Sequence, residues 1–177
     1  MLGIRVDESK CTGCRLCELA CVAAHAGDRD TAAWLLEGIG ATRIRITAAG
    51  SGGGPETPRY RVAVCRHCES PVCVDGCVSE AFCLDAKAGL VDVRTSRCVG
   101  CWTCVMECPF GAVELARHEP GALPGGPSAF KCDGCRELGT PACVRVCPTG
   151  ALGGGGRAGG LAAGRRRGRM ALREGVE

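Results

Sequence analysis

The sequence predicts a small α+β fold of short hairpins and short helices, held together by metal centres more than by a large apolar core. Three observations carry that prediction. Cysteine supplies 17 of 177 residues and falls into four regular groups. Aromatic residues make up only 3% and glycines number 28, so the apolar core is thin and needs a staple. Between the cysteine groups, short segments alternate apolar and polar residues with strand periodicity.

The elements follow in chain order. The first group is Cys11, Cys14, Cys17 and Cys21, with spacing C-x2-C-x2-C-x3-C. Residues 29–37 (RDTAAWLLE) predict a short helix or helical turn. Residues 41–47 and 60–65 predict two strands of a hairpin with a long glycine-rich tip. The second group, Cys65, Cys68, Cys73 and Cys77, reads C-x2-C-x4-C-x3-C. LVDV at 90–93 and AVEL at 112–115 are strand candidates on either side of the third group. That group, Cys98, Cys101, Cys104 and Cys108, repeats the first spacing and ends in Pro109. A loop at 119–128 leads to the fourth group, Cys132, Cys135, Cys143 and Cys147, which ends in Pro148. The rest, from 153 on, is a Gly- and Arg-rich stretch expected to be a flexible tail. KCTGCRLC matches RCVGCWTC and SPVCVDGC matches TPACVRVC, so the groups form an A-B-A-B repeat.

Disulfides, zinc and iron–sulfur clusters compete for this many cysteines. The N-terminal MLGIRVDESK has neither a signal-peptide h-region nor a twin-arginine pair, so a reducing, cytoplasmic compartment is expected and disulfides are disfavoured. Zinc knuckles use C-x2-C but need no third Cys three residues on and no fourth four residues later. C-x2-C-x2-C-x3-C-P is instead the bacterial ferredoxin run, whose last Cys ligates the neighbouring [4Fe–4S] cluster. A zinc-binding interaction scaffold is the rival reading. Cys83 lies outside every group and reads as a small buried hydrophobe. His67, inside Cys65-Arg66-His67-Cys68, reads equally as a hydrogen-bond donor to a cluster sulfur or as an exposed loop residue. His25 and His118 are not needed as ligands, because the quartets are complete. Trp102 reads as packing over a cluster.

Charge and hydropathy narrow the function classes. Four clusters at about −2 each turn the formal +3 of the chain to roughly −5, which argues against nucleic acid as a partner. No apolar run approaches the ~20 residues of a membrane span. There is no nucleophile–base pair, phosphate loop or incomplete quartet, so the chain reads as an electron carrier without a substrate site of its own.

CRHCESPVC in the second group and RCVGCWTCVMECPFGAV in the third resemble the four-cluster, ferredoxin-like electron-transfer subunits of anaerobic oxidoreductases. Such subunits serve molybdenum- and tungsten-pterin enzymes, hydrogenases and anaerobic carbon monoxide dehydrogenase. The resemblance covers roughly residues 4–152 and implies two dicluster ferredoxin-like folds, one inserted in the other. The first takes residues 1–60 plus 116–152 and the second 61–115. It also implies crosswise ligation of four [4Fe–4S] clusters. Cys11, Cys14, Cys17 and Cys147 hold one, and Cys65, Cys68, Cys73 and Cys108 a second. Cys77, Cys98, Cys101 and Cys104 hold a third, and Cys21, Cys132, Cys135 and Cys143 the fourth. Tandem pairing of neighbouring groups is the alternative that spacing alone leaves open. The implied partners are a catalytic oxidoreductase subunit and a second electron carrier. Val78 stands where many members have Pro after the last Cys of the second group.

Overall fold

The computed structural model describes residues 3–26, 42–49, 59–116 and 127–155. The helix expected at 29–37, the hairpin tip, His118 and most of the 119–128 loop lie outside these residues, as does the tail beyond 155.

Alternation builds the largest sheet. Strands β2 (Ile44–Ala49) and β3 (Arg59–Val64) pair antiparallel, with Ile44 opposite Val64 and Ile46 opposite Val62. These four side chains are buried, whereas Arg45 and Thr47 between them are exposed. The first strand starts at Ile44 and not near residue 41. Before it, the Arg43 N–H turns to the Cys21 sulfur at 3.3 Å.

The chain ends of the described region meet. Strand β1 (Ile4–Val6) pairs with β8 (Leu152–Gly154). Helix α1 (Leu16–His25) packs on α4 (Ala142–Arg145). Gly153 and Gly154 belong to β8, so ordered chain runs past the boundary expected at 152. Between these elements in sequence lie α2 (Val72–Asp75), the hairpin β4 (Phe82–Asp85)–β5 (Leu90–Val93), and α3 (Thr103–Glu107). Helix α2 packs on α3. Asp85 Oδ1 caps the β4–β5 turn by accepting from the Lys87 and Ala88 N–H groups, each at 3.0 Å. Strands β6 (Glu114–Ala116) and β7 (Ser128–Phe130) close the fourth antiparallel pair among the described residues. The ladder begins at Glu114, two residues later than expected, because the Ala112 N–H is committed to the Cys108 sulfur at 3.5 Å.

The architecture is α+β, with short strands and short helices. Two apolar cores form among the described residues. One gathers Ile4, Ile44, Ile46, Val62, Val64 and Leu152 around Cys17, Cys21, Cys65, Cys132 and Cys143. The other gathers Ala81, Phe82, Val91, Val113 and Ala129 around Cys98 and Cys104. Cysteine thus does much of the packing that larger side chains do elsewhere.

Candidate metal centres

The C-x2-C loops share one backbone device. Their third residue is Gly13, Gly100 or Gly134 at φ 71°, 69° and 80°, a left-handed turn that folds both cysteines to one side. At Gly13 a Cβ would also lie 2.3 Å from the Tyr60 ring. In the second group the same position is His67, at φ 49°.

Cysteines from different groups come together in the fold. Cys11, Cys14, Cys17 and Cys147 line one cavity with Ile46, Val62 and Leu152. Cys77, Cys98, Cys101 and Cys104 line another with Phe82, Val99, Trp102 and Leu115. Burial pushes the Cys73 thiol up to about 12, and the sulfurs that raise it further are Cys65, Cys108 and Cys68. Burial likewise drives the Cys143 thiol far above its ordinary value, with Cys132, Cys21 and Cys135 adding to the effect ahead of Cys17. Cys83 joins none of these groups. It is half-buried on β4 opposite Asp92.

Of the four groups, only the first has its last two cysteines, Cys17 and Cys21, on one helix, α1. Cys77, Cys108 and Cys147 lie beyond the ends of their helices. There the turning backbone aims N–H groups at the sulfurs: Phe82 at Cys77 (3.5 Å), Ala112 at Cys108 (3.5 Å) and Leu152 at Cys147 (3.4 Å). Ala129 and Gly134 do the same for Cys98 and Cys132, each at 3.3 Å. Burial pulls Cys77 and Cys147 upward. The N–H groups of Phe82 and Leu152, with the Ser79 and Thr149 hydroxyls, outweigh it and hold both thiols below their ordinary value. The Thr103 hydroxyl, 3.4 Å from its sulfur, lowers the Cys101 thiol. Such donors favour thiolate, the form that binds metal.

Two buried polar groups test the fit of an anionic cluster. Lys131 is 4% exposed, and no carboxylate among the described residues pairs with it. Its ammonium donates to the carbonyls of Val91 and, at 2.8 Å, Cys132. A buried cation without a counter-ion costs several kcal/mol, so thiolate-bound anions beside it fit the site. His67 is fully buried and accepts the Val91 N–H at Nδ1 (3.0 Å), which overturns the exposed-loop reading. Burial, then the Lys131 charge, lowers its pKa to about 3. The neutral ring therefore carries its proton on Nε2, which is buried and has no partner among the described residues.

Other features were not legible in sequence. His25 Nδ1 donates to the Cys21 carbonyl (2.7 Å) and Nε2 to Asp133 (3.0 Å), so both nitrogens are protonated. Asp133 and then Cys21 raise its pKa to about 10. Arg43, stacked on Phe130, completes this clamp between α1 and the 132–135 loop. Trp102 is 55% exposed, so it covers its cavity only in part.

Comparison with known proteins agrees with this chemistry. A family model described as a 4Fe-4S dicluster domain matches residues 58–157. The chain is 40% identical over 159 residues to the electron transport protein HydN of Escherichia coli K12, spanning 84% of this chain and 85% of that protein. It is 38% identical over 152 residues to the putative electron transport protein YsaA of the same strain, spanning 84% and 86%. An iron-sulfur protein of Rhodospirillum rubrum is 34% identical over 163 residues, 84% of this chain and 79% of that one. No helix among the described residues is long and apolar enough to cross a membrane. Thiolate baskets, buried counter-charge and sequence relatives converge, and the chain belongs to the 4Fe–4S dicluster family of iron–sulfur electron transport proteins.

Proposed function

We propose that the cysteines form four sets, each holding one [4Fe–4S] cluster. On this reading the ligands are Cys11, Cys14, Cys17 and Cys147; Cys21, Cys132, Cys135 and Cys143; Cys65, Cys68, Cys73 and Cys108; and Cys77, Cys98, Cys101 and Cys104. The chain relays single electrons between a catalytic oxidoreductase subunit and a second carrier. Bound clusters supply a one-electron couple, and the protein supplies ligands, N–H donors and exclusion of water.

One observation carries the relay. Among the cysteines, only Cys14 and Cys101 are exposed, and they belong to different sets. The sets containing Cys65 and Cys132 are buried or half-buried. The linkage supports a linear order. Cys17 and Cys21 follow each other on α1, Cys65 and Cys132 share a core, and Cys73 and Cys77 flank the end of α2. Electrons then enter at one surface cysteine and leave at the other. Pairing of β1 with β8, around the α2–α3 segment in sequence, supports two nested dicluster units, 1–60 plus 116–152 and 61–115. Val78, Val99, Trp102 and Met106 are exposed beside the Cys101 set, an apolar and aromatic surface suited to a protein partner. With every set all-cysteine, substrate chemistry falls to that partner.

Two measurements test the reading. Anaerobic analysis should find about 16 Fe and about 16 acid-labile sulfide per chain, four of each per cluster. Values near eight, or abundant zinc, would sink it. EPR of Cys21→Ser and Cys132→Ser should alter one common cluster signal and Cys11→Ser a different one. A common signal for Cys21→Ser and Cys11→Ser would mean that each group ligates its own cluster.

A further inference from the structure

Three of the four cysteine groups are preceded by a basic residue: Lys10, Arg97 and Lys131. The first two behave as ordinary surface charges. Lys10 pairs with Asp7 at 3.2 Å and Arg97 with Glu80 at 3.0 Å. Lys131 alone is buried.

The surroundings of Lys131 hold its charge in place without neutralising it. The carboxylates of the neighbourhood are engaged elsewhere: Asp133 with His25 and Arg43, Asp85 and Asp92 with Arg136. The ammonium is fixed by two carbonyls, those of Val91 and Cys132. The Val91 peptide is held from its other side, since its N–H donates to His67 Nδ1. The Val91 peptide is thereby fixed from both sides, which holds its carbonyl on the ammonium. Lys131 thus stands between the two inner sets: its ammonium holds the carbonyl of Cys132 on one side and, through Val91, is tied to His67 of the Cys65–Cys68 loop on the other, while Cys65 and Cys132 pack in one core.

We propose that Lys131 is a potential-setting residue, a buried fixed cation between the two inner cysteine sets that makes the centres they hold easier to reduce than the outer pair. The inference rests on the four-set ligation proposed above. A cation close to a centre stabilises its more negative, reduced form, and low local dielectric strengthens the effect. Inner centres raised in this way hold the electron midway between the two surface exits.

The test is an anaerobic, EPR-monitored redox titration of the assembled protein. In Lys131→Met the two inner midpoints should fall, each by on the order of tenfold in the reduction equilibrium, about 59 mV for a one-electron couple. The outer two should move far less. Lys131→Arg keeps the charge and should stay near the wild type. If Lys131→Met assembles less than its full iron, Lys131→Gln is compared with Lys131→Arg, since both can donate to the carbonyls and only one is charged. Equal midpoints in charged and uncharged variants would overturn the proposal, as would an equal fall at all centres. Loss of iron in Lys131→Arg and Lys131→Gln alike would assign Lys131 to holding the chain together and would also overturn it. Iron and sulfide content of the wild type judges the four-set reading separately.

Discussion

The first and third cysteine groups have the same spacing, yet the helices that carry them differ. In α1 the last cysteine, Cys21, is followed by Val22, and the helix continues to His25. In α3 the helix stops at Glu107, and Cys108 takes φ −70°, ψ 112°. Pro109 is the reason: its ring disfavours the helical region for the residue before it. The extra turn of α1 carries His25 to Asp133, whereas the third group has no such clamp among the described residues. The surroundings differ as well. The β2–β3 hairpin lays Ile44, Ile46, Val62 and Val64 over the first region, while the second leaves Val78, Val99, Trp102 and Met106 in solvent. Cysteine spacing sets the basket, and the flanking residues decide whether that basket is covered or presented.

The largest effect that can break this contrast is removal of the metal. With so small an apolar core, ligation supplies much of the folding free energy. Anaerobic chelation or oxidative cluster loss should abolish cooperative melting. Hydrogen exchange should show the β4–β5 amides released before those of β2–β3, because the latter sit on the larger core. An apoprotein that still melts cooperatively would show that packing alone suffices.

A second test exchanges the helix stops. Val22→Pro should cost about 3 kcal/mol or more, since it removes a hydrogen bond inside α1 and crowds the preceding turn. It should also detach His25 from Asp133. Pro109→Ala relaxes a turn that already lies outside its helix and should cost less than ~1 kcal/mol. Anaerobic denaturant midpoints, followed by bleaching of the cluster absorbance, would compare the two. Equal losses would mean that the extra turn of α1 contributes nothing.

The sequence exposes what is periodic and hides what is distant. The cysteine groups stand out because ligand spacing is rigid, and Ile44, Ile46, Val62 and Val64 because a half-buried hairpin must alternate. Strands β1 and β8 were missed because three-residue elements, one of them Leu152-Gly153-Gly154, carry too little pattern. FCLD at 82–85 is only four residues long, and with Cys83 at its centre it carries no clear apolar–polar alternation to mark a strand. His25 and Asp133 lie 108 residues apart, and nothing local marks them as partners. Lys131 looks like Lys10 until its burial is known. His67 did carry a signal: it fills the place that glycine takes in the other three C-x2-C loops, and a side chain held in left-handed backbone needs a reason to persist.

The smallest effect concerns the seam between the two regions. Arg45 on β2 meets Glu114 on β6 as a fork, Nε to Oε1 at 2.9 Å and Nη2 to Oε2 at 2.7 Å. The geometry is bidentate, which favours arginine over lysine. Yet the two side chains are 50% and 42% exposed, so water screens the pair and the long side chains lose rotamer freedom in forming it. A double-mutant cycle of Arg45→Ala and Glu114→Ala should therefore give a coupling of about 0.2–1 kcal/mol. Raising ionic strength from 0.15 M to 1 M shortens the screening length from about 8 Å to about 3 Å and should shrink that coupling further. A coupling above ~2 kcal/mol that survives high salt would mean the fork is shielded in the assembled protein. The two regions would then be joined by charge as well as by the packing of Cys108 against both cores.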